Sequence, residues 1–112
     1  AAMAFKLIRN PTFTHKVYVM VPIDGSFREE TLKVTFRVRS QTDLFEHDLR
    51  TPEGTEAYCR AVVEKFADVQ DEDGNPMDLS EADNDALFAL PYVQIALISY
   101  YTTALSKARA KN

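Results

Sequence analysis

"FTHKVYVMVPIDGSFREETLKVTFRVRS", residues 13–40, is the stretch that decides the fold. Phe13, His15, Val17, Val19 and Val21 alternate with Thr14, Lys16, Tyr18 and Met20, the period of a strand with one face to bury. Leu32, Val34, Phe36 and Val38 repeat the pattern against Lys33, Thr35, Arg37 and Arg39. Between the two lies Asp24-Gly25, and glycine tolerates the positive φ that a tight hairpin turn requires. A turn centred there pairs Val17 with Leu32 and Phe13 with Phe36, all on the apolar faces. The expectation is a β-hairpin with one buried face.

Downstream the period changes to that of helices. Ser40 with Asp43 three residues later reads as a cap before a short helix carrying Leu44, Phe45 and Leu49. Thr51-Pro52 suits an N-cap and first turn, and Tyr58, Cys59, Val62, Val63 and Phe66 form an apolar stripe opposite Glu56, Arg60 and Glu64. Ser80, again with an acid three residues on at Asp83, opens a third helix that Pro91 ends or bends. The last and longest helix runs from Pro91, with Lys107, Arg109 and Lys111 favouring its C-terminal dipole end. The fold class expected is α+β: an N-terminal antiparallel β-hairpin followed by about four α-helices. Ala1 and Ala2 ahead of Met3 read as cloning remnants, leaving 3–112 as a single domain.

Composition narrows the function classes. The 112 residues are 46% hydrophobic and 27% charged, ordinary for a globular domain. A net charge of −4 argues against nucleic acid as a partner, since neutralising phosphates needs a concentrated basic face. One cysteine, Cys59, builds no disulfide framework and fits a reducing compartment. No charged start followed by an apolar segment is seen, so no signal segment is expected. The greasiest run, Ala89–Leu105, is broken by Pro91, Gln94, Ser99, Thr102 and Thr103, so no membrane span is expected.

"DVQDEDGNPMDLSEAD", residues 68–83, gathers acids around a glycine and a proline. Aligning Gly74 with the glycine of an EF-hand loop puts Val69 first and Ser80 last, so the essential acids are missing. Asp73-Gly74-Asn75-Pro76 therefore reads as a turn, and the surrounding acids as a solvated face, with docking to a basic partner as the functional alternative. His15 falls on the apolar side of a strand, His47 sits among Glu46 and Asp48, and Cys59 lies on a buried stripe. No glycine-rich phosphate loop and no zinc-type Cys/His spacing occurs. The reading is that the protein is not an enzyme and uses no cofactor or metal.

The last helix is apolar over a wide arc. Val93, Leu97, Tyr100, Tyr101, Ala104 and Ala108 define one stripe, while Ile95, Ile98 and Leu105 lie well around from its centre. Either neighbours cover the whole arc, or Ile95, Ile98, Tyr101 and Leu105 are partner-binding residues for another subunit or a client.

The run "AVVEKFADVQDEDGNPMDLSEADNDALFALPYVQIALISYYTTAL" resembles the C-terminal two-thirds of tail assembly chaperones of long-tailed bacteriophages. The shared features are an apolar helix, an aspartate-glycine turn before proline, a polar cap, a short helix, a proline beside an aromatic, and a tyrosine-bearing helix. "FKLIRNPTFTHKVYVMVP" and "LKVTFRVRS" resemble the N-terminal hairpin of the same family. The resemblance implies a non-catalytic assembly factor that holds the tape measure protein soluble and helps tail tube protein polymerise around it. It further implies residence in the host bacterial cytoplasm and absence from the mature virion, with a homo-oligomer as a further expectation. Such chaperones are often made in two lengths by ribosomal slippage, and Ala110-Lys111-Asn112 can be encoded by a slippery heptamer. The alternative is a structural minor tail or head–tail connector protein of a phage or prophage.

Overall fold

A computed structural model describes the backbone of residues 2–110 and side chains to Lys107. The expected contribution of Ala108 and Arg109, and the slippage site at Lys111 and Asn112, lie outside the described residues. Strands β1 (Thr12–Ile23) and β2 (Ser26–Arg37) form the hairpin in the expected register, Phe13 opposite Phe36 and Val17 opposite Leu32. Gly25 takes φ +72° in the two-residue turn, a conformation only glycine adopts without steric cost. Helix α1 (Gln41–Phe45) starts where the Ser40 hydroxyl accepts from the Asp43 amide, and α2 (Pro52–Val62) where Thr51 accepts from Gly54.

The stripe Tyr58–Phe66 does not continue as one helix. Helix α2 stops at Val62, and Val63–Ala67 becomes a third strand, β3, antiparallel to β2. The three-stranded sheet has order β1-β2-β3, so the fold is α+β with a sheet larger than a hairpin. Phe36 pairs with Val63 and Thr35 with Lys65, so Glu64 is an extra residue in a bulge. The bulge spaces the buried pair Val63 and Phe66 by three, which imitates a helical stripe in the sequence.

Helix α3 (Glu81–Ala89) carries a complete capping box, with Ser80 Oγ accepting from the Asp83 amide and Asp83 Oδ2 accepting from the Ser80 amide. It ends at Leu90, and α4 (Pro91–Ala110) leaves at 83° to it, so Pro91 separates two helices. No single helix among the described residues is long and apolar enough to cross a membrane. The acidic stretch between β3 and α3 is a hydrogen-bonded turn: Asp71 Oδ1 accepts from the amides of Asp73 and Asn75, and Gly74 N–H donates to the Asp71 carbonyl. Asp71 thus spends a carboxylate oxygen on the backbone of its own turn, the local role that makes aspartate a turn residue.

One face of the sheet, through Val17, Val19, Leu32, Val34 and Phe36, packs against α2 and α4. The core closes with Cys59, Val62, Phe66, Phe88, Val93, Ala96 and Leu97. The other face of the hairpin carries Lys16, Tyr18, Met20 and Lys33 to the surface.

Candidate functional site

Helix α4 presents two apolar faces. Val93, Ala96, Leu97 and Tyr101 form the buried one. Tyr101 is 1% exposed and belongs to the core, which removes it from the partner-binding set. Its ring lies 6.2 Å from Phe13, 6.0 Å from Phe36 and 6.3 Å from Tyr58, and its hydroxyl accepts from the Arg39 amide at 3.0 Å. Sequence periodicity placed Tyr101 on the stripe correctly, but it did not show that the hairpin and α2 both close over that stripe. Ala96 completes the buried face and was missed because alanine carries little hydrophobic signal.

Around the helix from this face, Ile95 is 70% exposed and Leu105 40%, with Ile98 half-buried between them. The steps from Ile95 to Ile98, Thr102 and Leu105 are three, four and three residues, which keeps the row on one side of a helix. The row spans about 15 Å at 1.5 Å per residue. Its spacing is that of the seam between packed helices, in which knobs three and four residues apart enter the holes of a facing helix. Thr102 is internally satisfied, donating to the Ile98 carbonyl at 2.9 Å, so the row has no hydroxyl that must be hydrated.

Beyond α4, an open groove runs between the distal half of the hairpin and the α3–α4 corner, lined by Val19, Val21, Leu87, Leu90 and Tyr92 with Asp71 at its rim. The corner is held from behind by Arg60, whose guanidinium contacts Glu56 at 3.2 Å and Asp85 at 2.9 Å and lies 4.7 Å above the Phe88 ring. The hydrogen bond to Asp85 is the main reason the Arg60 pKa rises.

The candidate chemical groups are placed for structure. Cys59 is wholly buried, and its thiol faces the Gln94 carbonyl at 3.9 Å. Burial, with a smaller contribution from Glu56, pushes its pKa up to about 12, so it stays protonated and unreactive at neutral pH. Burial likewise raises the Tyr58 hydroxyl, with Tyr101 and Cys59 adding to the effect. His15 is exposed on the edge strand although it falls on the apolar side of β1, and it stands edge-on to Phe13 at 5.6 Å. His47, flanked by Glu46 and Asp48, is half-buried in the turn after α1. Among the described residues no group of three or more His, Cys, Asp or Glu side chains converges as metal ligands.

Sequence reasoning also missed the exposed apolar residues outside α4. Phe45 is 86% exposed, and Met3, Phe5, Leu7 and Ile8 stand free in the segment ahead of β1. "MAFKLI", residues 3–8, is a short apolar run broken only by Lys6, of strand length. Compared with known proteins, the chain matches no family model, no curated protein and no solved structure.

Proposed function

We propose that this protein is a non-catalytic tail assembly chaperone of a long-tailed phage or prophage, which binds the tape measure protein and assists assembly of the tail tube. The observation that carries the reading is the exposed row Ile95, Ile98 and Leu105 on α4, spaced to receive a helix. A tape measure protein is long and largely helical, so a helix-spaced apolar row of modest length suits transient capture of its segments. The buried, protonated Cys59 and the structural use of Asp71, Asp83 and Asp85 accord with a protein that performs no chemistry. The net charge of −4 keeps such a complex from collapsing on itself. Its place of action is then the host bacterial cytoplasm, with no nucleic acid or membrane partner.

The test is co-expression with the large helical reading frame that neighbours the gene. The expected result is a soluble complex with the native chain, lost in Ile95→Glu/Leu105→Glu although that variant melts like the parent. A complex that forms equally well with the double variant overturns the assignment of the site. Recovery of the protein from purified particles would instead favour the structural minor tail or head–tail connector reading.

A further inference from the structure

Residues 2–8 form an arm without secondary structure ahead of β1, and Met3, Phe5 and Leu7 on it are 82%, 89% and 68% exposed. Among the described residues no hydrogen bond reaches this arm. Met3, Phe5 and Leu7 alternate with Ala4, Lys6 and Ile8, a largely apolar extended segment that is left mostly exposed. Strand β1 is an edge of the sheet over its whole length. The Val38 amide donates to the Pro11 carbonyl at 3.0 Å, and the two-residue turn at Asp24-Gly25 closes on the pair Ile23 and Ser26. Odd-numbered residues of β1 are thereby bonded to β2, and Thr12, Thr14, Lys16, Tyr18 and Met20 aim their amides and carbonyls outward. Pro22 has no N–H and ends the row. Exposed backbone of this kind recruits another strand.

The arm does not fold back onto its own β1 through a tight turn. Pro11 turns its carbonyl to Val38, so a two-residue hairpin on the outer edge would close on the outward-facing Thr12 and put Asn10-Pro11 at the corner. A type I′ turn needs positive φ at both corner residues, which the proline ring denies to Pro11. A type II′ turn calls for glycine at the first corner, where this chain has Asn10, held extended by the proline that follows it. Each copy therefore carries a strand and an edge that no tight hairpin joins.

From this we infer that two copies of the chain exchange arms, residues 3–8 of each pairing antiparallel with the β1 edge of the other. Six extended residues span about 20 Å, which matches the outward row from Thr12 to Tyr18. The exchange is reciprocal, so one twofold axis satisfies both arms and leaves no open end to polymerise. The inference stands on β1 and the arm alone and is independent of what α4 binds.

Sedimentation of the full chain at about 100 µM, a concentration at which a small interface of this class still associates, tests it. The expected species is a dimer. Deleting residues 3–8 should give a monomer with the parent's melting temperature, because no hydrogen bond ties the arm to its own fold and its apolar side chains stay mostly exposed. Lys16→Pro, which removes an outward N–H and no bond to β2, should do the same. In a mixture of isotope-labelled native chain and Phe5→Cys carrying a spin label, the amides of Thr14, Lys16 and Tyr18 should broaden. A monomeric full chain, a dimer that survives either variant, or broadening confined to other residues would each overturn the exchange.

Discussion

Tyr101 separates a core from an interface more sharply than any other residue. It joins three layers: α4, on which it sits, the hairpin through Phe13 and Phe36, and α2 through Tyr58. Tyr101→Phe keeps the ring and removes the acceptor of the Arg39 amide. A net hydrogen bond contributes about 1 kcal/mol, and a chain of this size loses roughly 4 °C of Tm per kcal/mol. Tyr101→Ala removes the ring as well, and the cavity raises the cost to about 3–5 kcal/mol. Denaturation by urea followed by far-UV circular dichroism measures both, and a Phe13→Ala cycle isolates the contact between the rings at roughly 0.5–1.5 kcal/mol. The reasoning is refuted if Tyr101→Ala unfolds within about 0.5 kcal/mol of the parent, the size of an ordinary surface substitution.

Gly54→Ala should destabilise the domain by about 1–3 kcal/mol or more, as overpacking does. A Cβ there would collide with the Asp48 carbonyl oxygen, and an unchanged urea midpoint would contradict that close approach. Cys59 should resist a thiol reagent in native buffer and react at once in urea, so rapid native labelling would place it outside the core. Because folding raises the Cys59 pKa to about 12, the unfolded chain loses its thiol proton first. The Cys59 contribution to stability is intact below the unfolded pKa near 8.5 and is lost as pH climbs toward the folded value. Cys59→Ala should therefore flatten the alkaline decline, and parallel curves for the two proteins would argue against the burial effect. Millimolar Ca²⁺ or a chelator should leave Tm unchanged, since Asp71 serves its own turn; a shift of several degrees would reveal a bound cation.

The hairpin was legible because two signals agreed: the alternation fixed which face is buried, and Asp24-Gly25 fixed where the register begins. Helix starts were legible for a similar reason, since Ser40, Thr51 and Ser80 each announce a cap by chemistry that acts within three residues. Strand β3 was not legible. Val62 and Val63 lie at the change from helix to strand, and the Glu64 bulge shifts the next buried side chain from two residues on to three. A period of three between apolar residues belongs equally to a helix and to a bulged strand. Only pairing with β2, thirty residues upstream, separates them, and pairing at that distance leaves no mark in local periodicity.

The same limit explains why the wide apolar arc of α4 was legible, with Ile95 and Leu105 on its open side, while Tyr101 was grouped with them although it is buried. Periodicity gives the angles of side chains about a helix axis, so Tyr101 and Ile95 were known to point different ways. It does not give the position of the neighbours. In the fold β1, α2 and α3 all approach α4 from the side of Val93, Leu97 and Tyr101. Ile98 lies at the border, and Ile95 and Leu105 face outward. That arrangement makes the exposed row an addition to a core that is already closed. Substituting Val93 or Leu97 must therefore cost stability, whereas substituting Ile95 or Leu105 should leave stability intact and, on the proposed reading, cost association. A helix that needed its outer face for folding would show the same loss on both sides. Paired measurements of Tm and partner capture on Leu97→Ala and Ile95→Glu thus ask one question of both faces. Loss of Tm in Leu97→Ala but not in Ile95→Glu is the outcome this packing requires, and loss of capture in Ile95→Glu is the outcome the proposed function expects.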